Sequence, residues 1–235
     1  MSAGRPLNVG GFTPFTATDY PGQLAAVVFV QGCAWRCGYC HNPHLQPRPA
    51  HSPLAWSDIF ATLARRRGLL DAVVFSGGEP TTDPALPEAM HAVRALGFRV
   101  GLHTACIYPD RLRAVLPLVD WVGFDVKAPF DDYHLVTRVP GSGAAARECV
   151  EAILAAGVAY ECRTTVHPDL LPPAALLRMA DELVALGVLN YVIQQFRPQG
   201  CADAGLRLKT GVAYPPAATL DGMRRGFPSL LLRRA

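Results

Sequence analysis

The sequence predicts an α/β fold, a partial open (β/α)6 barrel of parallel strands, and three observations carry that reading. Short apolar runs rich in β-branched residues alternate with longer helix-like stretches. Glycines stand where those stretches stop. The residues with chemical character follow the apolar runs, at what would be the carboxyl ends of strands, where parallel α/β folds gather their reactive loops.

The expected strands are Leu24–Val30, Ala72–Phe75, Arg99–His103, Trp121–Val126, Tyr160–Val166 and Tyr191–Phe196. Between them the expected helices are Ser57–Arg67, Pro84–Leu96, Pro109–Leu116, Gly143–Ala156 and Pro173–Leu186. Ser57 followed by Asp58, and Asp83 before Pro84, read as helix starts; Gly68, Gly97, Gly157 and Gly187 read as stops. Repeated strand–helix units imply right-handed parallel crossovers, and six units fall short of the eight of a closed barrel. A doubly wound open sheet is the alternative.

The chain has 235 residues, half of them apolar and 17% charged, which suits one folded domain spanning 1–235. A net charge of +3, from 22 basic and 19 acidic residues, implies neither a nucleic-acid nor a membrane partner. The opening stretch from Met1 to Pro14 lacks the basic start and apolar run of a signal peptide, and Leu24–Val30 is too short to span a bilayer. Three of the seven cysteines lie between positions 33 and 40. In a chain without a leader that clustering points to metal ligation in a reducing cytoplasm.

The loop after the first expected strand carries Cys33, Cys37 and Cys40 in a C-x3-C-x2-C pattern. Thiolates suit iron–sulfur clusters and zinc alike. A cubane held by three cysteines keeps one iron open to a small molecule, whereas a structural zinc site wants a fourth ligand, for which His41, His44 or a distant cysteine is available. The second expected strand runs into Ser76-Gly77-Gly78-Glu79-Pro80. The paired glycines let backbone approach a ligand, and Glu79 with nearby carbonyls can accept hydrogen bonds from an ammonium group; an ordinary strand-to-helix turn is the plainer explanation.

Taken together, the C-x3-C-x-aromatic-C loop, with Tyr39 before its last cysteine, and Gly77-Gly78-Glu79-Pro80 resemble the radical S-adenosylmethionine (SAM) superfamily. The stretches Thr18-Asp19-Tyr20-Pro21-Gly22, Cys40-His41-Asn42-Pro43, Asp125-Val126-Lys127 and Tyr191 to Pro198 further resemble glycyl-radical enzyme activases, in particular the activating proteins of anaerobic ribonucleoside-triphosphate reductase. The resemblance covers Thr18 to Pro198. It implies an oxidoreductase with a [4Fe-4S] cluster on Cys33, Cys37 and Cys40, and SAM bound by its amino and carboxylate groups to the open iron. Reductive cleavage of SAM then gives methionine and a 5′-deoxyadenosyl radical, which takes hydrogen from a glycine of the partner enzyme. Flavodoxin or ferredoxin is the implied electron donor.

By the same resemblance Tyr39, Gly77, Gly78, Glu79, Asp125, Lys127 and Arg163 contact SAM or order its site, with Lys127 on the SAM carboxylate. For Asp125, Lys127 and Arg163, structural ion pairs are the alternative. Arg197 stands where some relatives carry histidine. Activases often show Asp-Thr-Asn-Gly where this chain has His103-Thr104-Ala105-Cys106, so a cation site beside SAM is not expected, and His103 reads as a strand cap, with a cofactor contact as the alternative. Cys106, Cys149, Cys162 and Cys201 are scattered, with burial the default for Cys149 and Cys162. The Tyr39–Pro53 loop has neither the length nor the cysteines for an inserted ferredoxin-like domain, so one cluster is expected. A small-molecule radical SAM enzyme making a deazapurine precursor, and a non-catalytic zinc-stabilised binding module, are the competing readings.

Overall fold

The computed structural model describes residues 5–208 and 214–234; residues 1–4, part of the opening stretch read for a leader, lie outside them. Eight strands form one sheet whose spatial order is the sequence order. They are β1 (Val9–Thr16), β2 (Ala25–Val30), β3 (Ala72–Gly77), β4 (Arg99–Thr104), β5 (Trp121–Asp125), β6 (Ala159–Val166), β7 (Asn190–Gln195) and β8 (Ser229–Arg233). The β1–β2 pair is antiparallel, and every later pair is parallel. The helices are α1 (Trp56–Ala64), α2 (Leu86–Ala95), α3 (Pro109–Val115), α4 (Tyr133–Thr137), α5 (Ser142–Ala156), α6 (Pro173–Leu186), α7 (Ala204–Arg207) and α8 (Ala217–Arg224).

The six strand–helix units are present, and two edge strands add to them. β8 makes a seventh parallel strand. Its Ser-Leu-Leu-Leu-Arg run is short and only half-buried, so periodicity alone does not separate it from a loop. β1 holds two glycines and Pro14, which argue against a strand in a sheet interior but are tolerated at an edge. α8, between β7 and β8, was likewise not expected. β1 and β8 are the two ends of the order, so the barrel stays open between them.

Gly68, Gly97, Gly157 and Gly187 all take positive φ, as helix-stop residues do. The starts differ from expectation. α1 begins one residue before Ser57, with Ala55 at its N-cap. Asp83 stands ahead of α2, which begins at Leu86. Its Oδ1 accepts from the Ala85 amide at 3.0 Å, while Oδ2 takes the Asn8 amide at 3.0 Å and Arg48 at 3.1 Å. A residue expected to start a helix therefore also pins the chain leading into β1.

Strand alternation divides the core into two. Val73 and Phe75 on one face of β3 join Leu63 of α1 and Met90 of α2 in the large outer core. Ala72 and Val74 on the other face join Tyr20, Ala25, Val27 and Trp121 inside the barrel. Tyr20 and Trp121 stack there with centroids 5.2 Å apart, closing the amino-terminal end of the barrel. Towards the carboxyl ends the inward residues turn polar: Gly123 and Asp125 follow Trp121 on β5, and Glu161, Arg163 and Thr165 alternate on β6. The plug thus forms the floor of whatever the polar end holds. Trp121→Ala is expected to lower the unfolding free energy by about 3–5 kcal/mol in urea denaturation, as large aromatic truncations in cores do.

Candidate active site

The loop from Gly32 to Gln46 leaves β2 and lies on the turn that leaves β3. The contact is backbone on backbone: the Gly78 amide donates to Val30 at 3.0 Å and the Glu79 amide to Gly32 at 2.8 Å. There is no room for side chains at this seam. A Cβ on Gly77, whose φ is +120°, would stand 2.4 Å from the Val30 carbonyl oxygen, and one on Gly78 would stand 2.4 Å from that of Gly32. The paired glycines therefore serve first to let the two loops touch.

Glu79 holds this junction together. Its carboxylate is fully buried. Oε1 accepts from the Thr81 amide at 3.1 Å, the Thr81 hydroxyl at 2.6 Å and the Thr104 hydroxyl at 3.0 Å; Oε2 accepts from the Ala105 amide at 2.7 Å. Burial raises its pKa and these bonds only partly offset the rise. Of the residues named for the cluster and for SAM, Glu79 alone does not line the chamber. It ties the β3 turn to the end of β4.

The other named residues, Cys33, Cys37, Tyr39, Cys40, Gly77, Gly78, Asp125, Lys127 and Arg163, line one chamber of about 300 Å³ at the carboxyl ends of the strands. All seven cysteines are free thiols. Burial pushes the Cys33 thiol up to about 12 and raises that of Cys37. Among the described residues no three His, Cys, Asp or Glu side chains converge on a point suited to one metal ion. A mononuclear zinc site needs its ligands about 2.0–2.3 Å from a single centre. Three thiols on one short loop fit the thiolate ligation of an iron–sulfur cluster.

Charge is arranged in two bonded groups. Lys127 Nζ lies 2.9 Å from Asp125 Oδ2 and 5.5 Å from the centre of the Tyr39 ring. Burial alone would raise the Asp125 pKa, but Lys127 and then Arg163 outweigh it and hold the carboxyl below its usual range. Burial also opposes the Lys127 charge, and Asp125 overcomes it, leaving the ammonium well above its usual value. Tyr133 braces the strand end. Its hydroxyl accepts from the Lys127 amide at 3.1 Å and donates to the Asp125 carbonyl at 3.2 Å, while its ring meets Trp35 of the cysteine loop edge-on.

Arg163 is clamped from behind. Its Nε donates to Glu161 Oε1 at 2.7 Å, and Arg233 of β8 grips both oxygens of Glu161 at 2.7 Å each. The guanidinium lies 5.1 Å from the centre of the Trp121 ring. Gly123 makes this possible, since a Cβ there would meet Arg163 Nη2 at 2.5 Å. Glu161 and Arg233 were not legible as site residues, though the period of two puts Glu161 on the same face as Arg163.

His103 does not cap its strand. Its Nε2 donates to the Asp19 carbonyl at 2.8 Å, and Nδ1 lies 3.3 Å from the Ser76 hydroxyl. The shorter contact, to a carbonyl that only accepts, calls for the proton on Nε2, although the donor Arg163 Nη2 stands 3.3 Å from the same atom. Burial, and then Arg163 with Nη2 3.3 Å away, drive its pKa down to about 4. His41 stacks on Phe196 and bonds the Arg197 carbonyl at 2.9 Å through Nε2. Arg197 itself faces the chamber, as do Gln194 of the same Tyr191 to Pro198 stretch and Thr165, the last of which sequence reasoning did not single out. Cys106, Cys149, Cys162 and Cys201 are all buried away from it.

The family profile described as the radical SAM superfamily matches residues 27–172, a span that runs from the three cysteines of the loop through Arg163. The chain belongs to the radical SAM superfamily. Members of this superfamily bind a [4Fe-4S] cluster and SAM, so this chain is an enzyme of that cofactor chemistry. A protein of Methanocaldococcus jannaschii, provisionally named a glycyl-radical enzyme activating enzyme, is 30% identical over 205 residues, covering 83% of this chain and 82% of its own length. Shorter matches, each 32% identical, are a pyruvate formate-lyase-activating enzyme of Clostridium pasteurianum and a 7-carboxy-7-deazaguanine synthase of Methanopyrus kandleri; each aligns over 52% of its own length. In fold the chain is similar to Streptococcus suis SuiB bound to precursor peptide SuiA, with a TM-score of 0.65 at 13% identity. That match covers 88% of this chain and about half, 48%, of SuiB. The radical SAM partial barrel expected from the sequence is therefore the fold observed.

Two measurements test this geometry. Gly78→Ala is expected to cost about 1–3 kcal/mol by overpacking the seam, read as a lower melting temperature. His103 has a folded pKa of about 4 against a reference of 6.5, so its contribution to stability is complete above pH 6.5 and is lost as pH falls towards 4. Between pH 7 and 4.5 the native protein should lose about 2–3 kcal/mol more unfolding free energy in urea than His103→Gln.

Proposed function

We propose that this chain is a glycyl-radical enzyme activase, one radical SAM unit over its 235 residues, acting on anaerobic ribonucleoside-triphosphate reductase in the cytoplasm. Cys33, Cys37 and Cys40 would hold the [4Fe-4S] cluster. Gly77 and Gly78 would offer backbone to SAM, the Lys127 ammonium and Arg163 guanidinium would take its carboxylate, and Tyr39 would pack on it. When bound, the cluster and SAM supply a carbon radical able to take hydrogen from a glycine Cα.

The chain's own residues do the positioning. Asp125 holds the Lys127 ammonium against the Tyr39 ring, and Glu161 holds Arg163 extended across Gly123. Neither cation then has to be ordered when an anion arrives. Glu79 acts through the turn that it organises. His103 stays neutral near pH 7 and adds no charge beside Arg163.

The observation that carries the activase reading is a second cavity. It measures about 540 Å³ and adjoins the chamber, sharing Asp19, His41, His103, Arg163, Thr165, Gln194 and Arg197 with it. It reaches Ala17 and Pro21 on one side and Arg233 and Arg234 on the other, at the unclosed edges of the barrel. Such a vestibule suits a protein loop delivering a glycine. The near full-length match to the Methanocaldococcus relative supports the same reading. The Methanopyrus match, over 47% of this chain, favours as second reading a small-molecule reaction on a deazapurine precursor.

Anaerobic reconstitution with iron and sulfide, then dithionite and SAM, tests the cofactor assignments. Iron and sulfide at about four each per chain, with 5′-deoxyadenosine formed, are expected. Cys37→Ala should abolish both. Electron paramagnetic resonance of the reductase after incubation should show a glycyl radical. 5′-Deoxyadenosine formed without that radical would remove the reductase as partner, and turnover of a deazapurine precursor would establish the second reading. Stoichiometric zinc without sulfide would leave a binding module.

A further inference from the structure

Cys37 and Cys40 face two ways. Besides the chamber they line a second depression of about 280 Å³, whose walls include Gly38, Arg36, Arg138 and Asp203. Cys37, Cys40 and Gln46 of the cysteine loop line both cavities. The loop is tied to α4 by the Arg36 amide, which donates to the Thr137 carbonyl at 3.0 Å.

The rim is basic and partly apolar. Arg36 folds over its own loop and donates to the Cys33 and Trp35 carbonyls at 2.6 and 3.0 Å. Arg138, just past α4, has a φ of +60°, one of two non-glycine residues at positive φ among those described. An L-residue held there is strained unless its surroundings require it. Here the turn places the guanidinium over the loop: Arg138 Nη2 stands 3.4 Å from where a Gly38 Cβ would be. The acidic group in reach is Asp203, 3.7 Å away, whose Oδ1 already accepts from the Gly205 and Leu206 amides at the start of α7. Leu135 on the same short α4 is 63% exposed.

We propose that this face receives an acidic one-electron carrier protein, which reduces the cluster across the Cys37–Cys40 segment. The inference rests on reading Cys33, Cys37 and Cys40 as cluster ligands, and not on the identity of the hydrogen donor. The step is a bare electron transfer: the reduced carrier, a flavin or iron–sulfur protein, is oxidised by one electron and the cluster is reduced by one. No bond is made or broken in the protein. Charge complementarity selects the partner, since two guanidiniums against one carboxylate match an acidic surface, and the exposed Leu135 of α4 precedes Arg138 by three residues. The location adds a reason. The vestibule shares seven residues with the chamber but neither Cys37 nor Cys40, so carrier and hydrogen donor would use different openings.

The test uses the reconstituted full chain with photoreduced flavodoxin and ferredoxin as probes. Cluster bleaching is followed by stopped-flow absorbance at low and high salt, and complex formation with the oxidised carriers by calorimetry. At low salt Arg138→Glu should slow reduction by the preferred carrier about tenfold and weaken its binding, with the effect shrinking in high salt. Arg138→Gly, which relieves the positive φ and so protects folding, should slow it less. Dithionite-driven reduction and the cluster potential should stay unchanged in both variants. Carrier-driven rates unaffected by either variant would overturn the proposal. So would equal losses with dithionite or a shifted potential, which would make Arg138 a determinant of potential rather than a docking residue. Failure of both carriers to reduce the native protein at low salt would overturn it too. A protein without an iron–sulfur chromophore would sink the cluster reading itself, and absorbance reveals that before any carrier is added.

Discussion

Burying a carboxylate is costly unless donors surround it, and the structure is arranged around one such case. Glu79 has no solvent exposure and takes its bonds from Thr81, Thr104 and Ala105. Those donors belong to the turn after β3 and the end of β4, so satisfying one side chain sets the spacing of two strand ends. The amide of the same residue bonds Gly32, which brings the cysteine loop into the arrangement. Three separate loops are thereby held by one buried group, and the place of the thiols follows from it.

The same economy governs the cations. A lysine and an arginine at the polar end of a barrel would be mobile if left to solvent. Asp125 and Glu161 restrain them, and each carboxylate is itself held below its ordinary range against the cost of burial, Asp125 by Lys127 and Glu161 by Arg233 and then Arg163. Arg233 extends the second group to the last strand. The short β8 is therefore bound into the site by two charge-assisted bonds as well as by its ladder to β7. Below these charges the Tyr20–Trp121 stack keeps the barrel floor apolar, which strengthens every electrostatic interaction above it.

Much of this was legible beforehand, for identifiable reasons. Six strands lie in the middle of a parallel sheet, where burial on both faces writes an unbroken apolar run such as Ala-Ala-Val-Val-Phe-Val. The edges carry no such signature, so β1 and β8 were missed. The cysteine loop, the glycine pair and Asp125-Val126-Lys127 were legible because each is local. Glu79 was legible as important but not in its orientation: a carboxylate after two glycines reads equally as a ligand for an ammonium group or as a structural hub, and only the positions of Thr104 and Ala105 separate the two.

The sequence by itself determined the order of the six inner strands and five of the helices between them, the loops that carry thiols and glycines, and the radical SAM kinship, because all of these are written in short segments. Tertiary structure decided which way each polar side chain turns and which distant residue answers it. Glu161 meets Arg233 across 72 positions, and His103 meets Asp19 across 84. Such pairings depend on how far the sheet curls before its edges stop, a property of the packed barrel that no single segment encodes.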